Sequence, residues 1–320
     1  MNAERRVLVT GAGGFIGRHS LEPLLAAGFD VHSVLSARGG ASEPAVSAKV
    51  KAHHADLTDP HAVGALIDAV HPSHLLHFAW IATPGEYWQS AENYRWLEAS
   101  RHLLASFERR GGVRAVMAGS CAEYDWSRAE ICNERTSPLA SGALTPYSEC
   151  KIAMQRSLEE FGREHRLSTA WGRIFFQYGP GEHPDRLVAS VIIHLLLGRD
   201  ALCSSGRQVR SFLHVRDVGA AFAALLDSPV EGPVNIGSGE RVSIAEVLSS
   251  IGARIGRPEL IKFGARAASA AEPRVLLPDI GRLRDEVHFT PDWTLQAGLD
   301  DSIRWWRSTL AQSASAAPPP

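Results

Sequence analysis

Val7-Leu8-Val9-Thr10-Gly11-Ala12-Gly13-Gly14-Phe15-Ile16-Gly17 decides how this chain folds. An apolar run of strand length, Arg6 to Thr10, ends in a GxxGxxG turn, and Arg18 to Ala27 continues with a helical pattern. In a strand–turn–helix of this kind the first glycine permits a tight turn. The second lets backbone approach a pyrophosphate at the helix N-terminus, and the third lets helix pack on strand. The spacing is not the simpler GxGxxG, so its place between a strand and a helix carries the inference. Gly11, Gly14, Phe15, Ile16 and Gly17 are therefore expected around a dinucleotide.

Working outward, short apolar runs alternate with helical patterns. Strands are expected over 31–35, 50–55, 74–79, 114–118 and 168–175, with helices over 60–69, 91–110 and 147–164. Such alternation predicts an α/β fold with a doubly wound, parallel Rossmann sheet. After Gly179-Pro180-Gly181 the pattern changes. A helix over 187–197 and short strands at 212–215 and 234–236 follow, and Ser243 with Glu246 three residues on forms a capping box. The expected division is a dinucleotide-binding domain (1–178 plus 210–238), a smaller C-terminal substrate-binding lobe (179–209 plus 239–309) and a disordered tail (310–320).

A chain of 320 residues, 45% hydrophobic and 21% charged, can bury a large core. Lys+Arg 33 against Asp+Glu 35 leaves no surplus to attract nucleic acid or a membrane surface. Cys121, Cys132, Cys150 and Cys203 show no ligand spacing and are expected as free thiols in a reducing cytoplasm. No apolar run reaches the roughly 18–20 residues of a membrane span, and Val7-Leu8-Val9 is too short for a signal peptide. His71, His74 and His77 are three apart, but Pro72 interrupts any helix through them, so no metal site is expected.

A second informative stretch is Pro146-Tyr147-Ser148-Glu149-Cys150-Lys151. Tyr147 and Lys151 are about one helical turn apart and share a face. An ammonium beside a phenol is expected to lower the phenol's pKa. A phenol so tuned passes a proton to or from a carbinol oxygen. With a dinucleotide as hydride carrier, the pair points to dehydrogenase-type chemistry. Ser120, at the carboxyl end of the fifth strand, stands where ligands bind in open sheets. At the end of strand two no acid is present to meet a ribose 2′-hydroxyl; Ser36 and Arg38 suit a 2′-phosphate, so NADP is expected before NAD.

The whole arrangement resembles the extended short-chain dehydrogenase/reductase family, especially its nucleotide-sugar epimerases, dehydratases and ketoreductases. The resemblance spans roughly residues 5 to 307. It rests on Thr10 to Gly17, Asp56-Leu57, His77-Phe78-Ala79, Asn93, Ser120 with Tyr147 and Lys151, and Tyr178-Gly179-Pro180. Arg210 to Asp217, Asn235 to Gly239 and Asp279 extend it. It implies Tyr147 as acid/base, Lys151 as holder of the nicotinamide ribose, and Ser120 as the group that orients the substrate carbonyl. It places Asp56 and Leu57 by the adenine, and Ala79 and Ile174 along the dinucleotide. It assigns Arg210 to a sugar nucleotide's diphosphate, a role that a guanidinium fork suits, and sets Trp88 and Arg186 on the substrate side. It also implies a homodimer built on the helices of Trp96 and Tyr147.

Two departures narrow the reaction. Family dehydratases carry acids just after the strand-five Ser/Thr, whereas this chain has Cys121 and Ala122, and Glu123 is expected to face away. Phe176 stands where sugar epimerases usually show an asparagine. The segment Trp80 to Trp88 is unusually aromatic, and Tyr87 or Trp88 would stack on a sugar or base. The expected activity is an NAD(P)-dependent ketoreductase acting on a nucleotide-linked keto-deoxysugar. A nucleotide-sugar epimerase is the alternative. A non-catalytic dinucleotide sensor is disfavoured by the retained Tyr147 and Lys151.

Overall fold

A computed structural model describes residues 5–36, 48–142, 144–267 and 272–316. Arg38 lies outside the described residues. Seven strands form the central sheet: β1 (Arg6–Thr10), β2 (Asp30–Ser36), β3 (Lys51–Ala55), β4 (His74–His77), β5 (Arg114–Ser120), β6 (Ser168–Ile174) and β7 (Gly232–Ile236). All neighbours pair in parallel, in the order β7-β6-β5-β4-β1-β2-β3. The order reverses between β1 and β4, which makes the carboxyl ends of those strands the crevice of a Rossmann sheet.

Val7, Leu8 and Val9 are all fully buried because both faces of β1 are covered. Val7 and Val9 pack with Leu24, Val218 and Phe222 on one face, and Leu8 with Ile67, Leu75 and Met117 on the other. The first face carries α1 (Gly17–Ala26) and α6 (Val215–Asp227), the second α2 (Pro60–Val70), α3 (Glu92–Arg109) and α4 (Pro146–His165). The N-termini follow local chemistry. Asp59 caps α2 through His61 N–H, and Thr145 caps α4 through Ser148 N–H, each ahead of a proline in the first turn.

The C-terminal half adds α5 (Leu187–Leu196), α7 (Ile244–Ile255) and α8 (Leu295–Ala316). Their apolar faces meet over Ile192, Leu248, Ile251 and Leu299. The Ser243–Glu246 capping box opens α7 as expected. A small sheet joins Val209–Arg210 to Val242–Ser243 and Val275–Pro278, and the last of these to Ile131–Cys132.

Three expectations are corrected. The strand expected over 74–79 stops at His77, because the chain at Phe78 and Ala79 crosses the glycine turn. The strand expected over 212–215 ends at His214, where its short pairing with Phe176–Tyr178 runs out, and Val215 opens α6. Helix α8 continues to Ala316, through positions expected as a disordered tail, on a base packed against α5 and α7. No described helix is long and apolar enough to cross a membrane.

Candidate active site

The glycine turn is built by close backbone approach. Gly11 has φ +68°, and a Cβ there would lie 2.7 Å from Ala79 N and 2.9 Å from Phe78 C. Only glycine accepts both the backbone conformation and the contact. Gly14 N–H donates to Gly11 O at 2.9 Å. At Gly17 a Cβ would sit 2.2 Å from that same Gly11 oxygen. This glycine therefore packs against the turn, whereas the spacing pointed to packing against the strand. Phe15 and Ile16 are half-buried beside it.

Two features of the turn were not anticipated. Arg18 folds back and donates to Gly13 O at 2.9 Å and Gly14 O at 3.0 Å, setting a guanidinium beside the loop. Behind it, Thr10 Oγ1 and His77 Nδ1 stand 2.6 Å apart, and His77 Nε2 lies 2.9 Å from Ser100 Oγ. Burial, helped by the charge of Lys151, depresses His77 to about 3, so the ring is neutral and tethers the ends of β1 and β4 to α3. Gly11 followed by a helix, and a histidine inside an apolar strand, were the available signals.

Ser36 is exposed at the end of β2, in register with Ala55. Asp56 follows directly and accepts the backbone and hydroxyl of Thr58 at 2.9 and 2.6 Å, and Leu57 is buried. These residues occupy one rim of the crevice. Ile174 ends β6 opposite Ser120 and Ile236, half-buried.

Lys151 is buried on α4. Its Nζ donates to Ala118 O at 2.9 Å and stands 3.8 Å above the Trp80 ring, but 5.9 Å from the centre of the Tyr147 ring. Burial lowers its pKa to about 7, against the opposing charge of Glu123. Tyr147 does not show the expected depression. Burial raises its pKa, and a hydrogen bond with Ser120 opposes the rise without overcoming it. The reason is geometric: the ammonium is committed to a carbonyl and an indole face, while the phenol sits among rings that cannot solvate a phenolate. Ser120 is nonetheless the side chain that most opposes this rise, which places it beside the phenol, and burial favours the protonated Tyr147.

The aromatic segment packs over this phenol. Tyr87 and Trp88 meet the Tyr147 ring at 4.7 and 5.4 Å, both edge-on, and Trp88 meets Trp126 at 6.2 Å. Trp126 is itself anchored by a 2.8 Å bond from Nε1 to Cys121 O. Arg186 lies 5.9 Å from the centre of the Tyr87 ring, and its charge opposes the rise that burial imposes on that phenol. Arg210 is buried at 2% exposure, which excludes a surface charge. It donates to Val209 O at 3.0 Å, and its guanidinium lies 5.1 Å from the centre of the Phe176 ring. Asp279 accepts from Asn133 Nδ2 and Gly281 N–H, which makes it a turn residue. Glu123 is fully buried and pairs with Arg173. It lies in the short helical turn Cys121–Glu123 rather than in an extended strand, so the alternation expected to turn it aside does not apply, and its charge acts on both Tyr147 and Lys151. Among the described residues no three His, Cys, Asp or Glu side chains gather as a metal site.

Residues 7–237 match the NAD dependent epimerase/dehydratase family. The chain is 28% identical over 332 residues to a dTDP-4-dehydro-6-deoxy-D-allose reductase of Streptomyces sp, covering 95% of this chain and 97% of that protein. Among solved structures it is similar to the UDP-glucose 4-epimerase of Thermotoga maritima in fold, with a TM-score of 0.84 at 20% identity over 95% and 99% of the two chains. It is also similar to MoeE5, solved in complex with UDP-glucose and NAD, with a TM-score of 0.78 at 28% identity over 95% and 99%.

Proposed function

Since the chain belongs to the NAD dependent epimerase/dehydratase family, we propose that it is an NADP-dependent ketoreductase of a nucleotide-linked 4-keto-6-deoxyhexose. The observation that carries this reading is the packing of the Tyr147 helix against the end of β5, which sets Tyr147 beside Ser120 in a crevice where Cys121 and Ala122 replace acids. A phenol that holds its proton is poised to donate it, which is what carbonyl reduction demands. Without a carboxylate beside the sugar there is no group to move protons at neighbouring carbons, as a dehydration requires.

The residues present fit a dinucleotide: the glycine turn admits no Cβ at Gly11 or Gly17, and it opens α1 at the carboxyl edge of β1. Gly11, Gly14, Phe15, Ile16 and Gly17 would hold the pyrophosphate, with Asp56 and Leu57 toward the adenine and Ala79, Ile174 and Lys151 toward the nicotinamide end. NADPH supplies a hydride to the carbonyl carbon when bound. Ser120 and Tyr147 hold the carbonyl oxygen, and Tyr147 gives it a proton. Trp88 and Arg186 border the sugar, and Arg210 takes the diphosphate. Leu35 and Ser36, where an acid would select NAD, support NADP.

The test is stoichiometric. A dTDP-linked 4-keto-6-deoxyhexose should consume one equivalent of NADPH per sugar reduced, and NADPH should bind more tightly than NADH. Epimerase action is the second reading, favoured by 26% identity over 323 residues to an uncharacterized UDP-glucose epimerase of Bacillus subtilis. Product formation without net NADPH loss would establish that reading instead.

A further inference from the structure

Behind Ser120 lies a polar network that the proton transfer itself does not touch. Glu123 is fully buried. Its carboxylate accepts the backbone N–H of Ser120 at 2.7 Å, the indole N–H of Trp171 at 2.9 Å and Nε of Arg173 at 2.7 Å. Ser120 Oγ in turn accepts the N–H of Ala122 at 3.2 Å, which closes a reciprocal cap around the turn. Arg173, on β6 and 2% exposed, continues to the Tyr124 hydroxyl at 2.9 Å and to Gln155 Oε1 at 3.2 Å. Gln155 stands one turn beyond Lys151 on α4. One ion pair thus fastens the Ser120 turn to the helix that presents Tyr147 and Lys151.

The packing leaves this turn little freedom. A Cβ at Gly119 would lie 2.1 Å from Trp171 Nε1 and 2.6 Å from Glu123 Oε1. A buried ion pair is a poor source of stability, because desolvation offsets most of the attraction and an apolar pair of the same volume does as well. An ion pair kept only to hold the core would also have no need to grip the backbone of Ser120.

We propose that Glu123, oriented by Arg173, is a positioning residue that holds Ser120 against the substrate oxygen and so aligns the proton transfer from Tyr147. The proposal rests on Ser120 acting on that oxygen, as set out above.

A double-mutant cycle tests it on the full chain, with the keto sugar and NADPH of the stoichiometry assay. The proteins are Glu123→Gln, Ser120→Ala, the double variant and the unmutated chain. Glu123→Gln should lower kcat about 10- to 100-fold, the scale of a misplaced reacting group, with KM and NADPH affinity nearly unchanged. In the Ser120→Ala background the same substitution should cost nothing further, because its effect passes through the lost hydroxyl. Equal losses in both backgrounds, or an unchanged kcat for folded Glu123→Gln, would overturn the proposal. Full activity of Ser120→Ala would instead remove its premise, and is told apart because that variant is measured alone. Should Glu123→Gln not fold, Arg173→Lys retains the buried charge while disturbing the Nε contact. Taken through the same cycle, it should lose kcat only where Ser120 is present.

Discussion

Gly11→Ala is the sharpest test of how the glycine turn works. Gly11 has φ +68°, where an L-residue costs roughly 1–2 kcal/mol. Its new Cβ would also sit 2.7 Å from Ala79 N and 2.9 Å from Phe78 C. Both are backbone atoms and cannot rotate away, so overpacking adds roughly 1–3 kcal/mol. The expected destabilisation is their sum, about 2–5 kcal/mol. Two other glycines separate the contributions. Gly28 has φ +81°, and a methyl added there would meet no heavy atom within 4 Å, so Gly28→Ala should lose only the conformational part. Gly64 sits inside α2 with open space around it, and Gly64→Ala should stabilise by about 0.5–1 kcal/mol. Equilibrium urea unfolding of the three variants gives the stabilities, and titration with NADPH gives the affinities. Relief of the overlap must displace either the turn or Ala79, so Gly11→Ala should also weaken NADPH binding about tenfold or more, at about 1.4 kcal/mol per decade. If Gly11→Ala is no less stable than Gly28→Ala, or binds NADPH normally, the close-approach reasoning is wrong.

Tyr147→Phe keeps the ring and removes the proton, so kcat should fall about 10²- to 10⁴-fold while NADPH binding, read by titration, stays near normal. Arg210→Ala should raise KM for the nucleotide sugar and leave NADPH affinity intact; an unchanged KM would mean that the guanidinium serves only its partners within the fold, Val209 O, Arg274 O, Glu272 and the Phe176 ring. Arg38→Ala should weaken NADPH binding by about 1–3 kcal/mol and leave NADH unaffected, and equal affinities of the unmutated chain for both would refute the choice of NADP. Acid should destabilise the fold through its buried histidines. Burial holds His77 and His214 at about 3, so between that value and the ordinary 6.5 the unfolded chain binds more protons. Their contribution is complete above about pH 6.5 and is lost as pH falls, at up to about 1.4 kcal/mol per unit for each. The urea midpoint should therefore drop between pH 7 and pH 5.

Local patterns were legible from the chain alone. The run Val7-Leu8-Val9 announces a buried strand and Ser243 with Glu246 a cap, because each depends on residues within one turn or strand. Element ends were less legible. The backbone at Phe78 and Ala79 leaves its strand to cross Gly11, and that crossing is a contact between segments far apart in sequence.

The Rossmann architecture, the glycine turn and the shared face of Tyr147 and Lys151 are written in the order of residues, since periodicity, glycine spacing and helical pitch are properties of the backbone close at hand. Three other features came only with the folded chain: Arg210 is buried, Glu123 grips the Ser120 backbone while paired with Arg173 across 50 positions of sequence, and burial pushes the Tyr147 phenol up rather than down. Protonation and orientation depend on desolvation and on which distant groups arrive within hydrogen-bond reach, and neither is encoded in the spacing of neighbours.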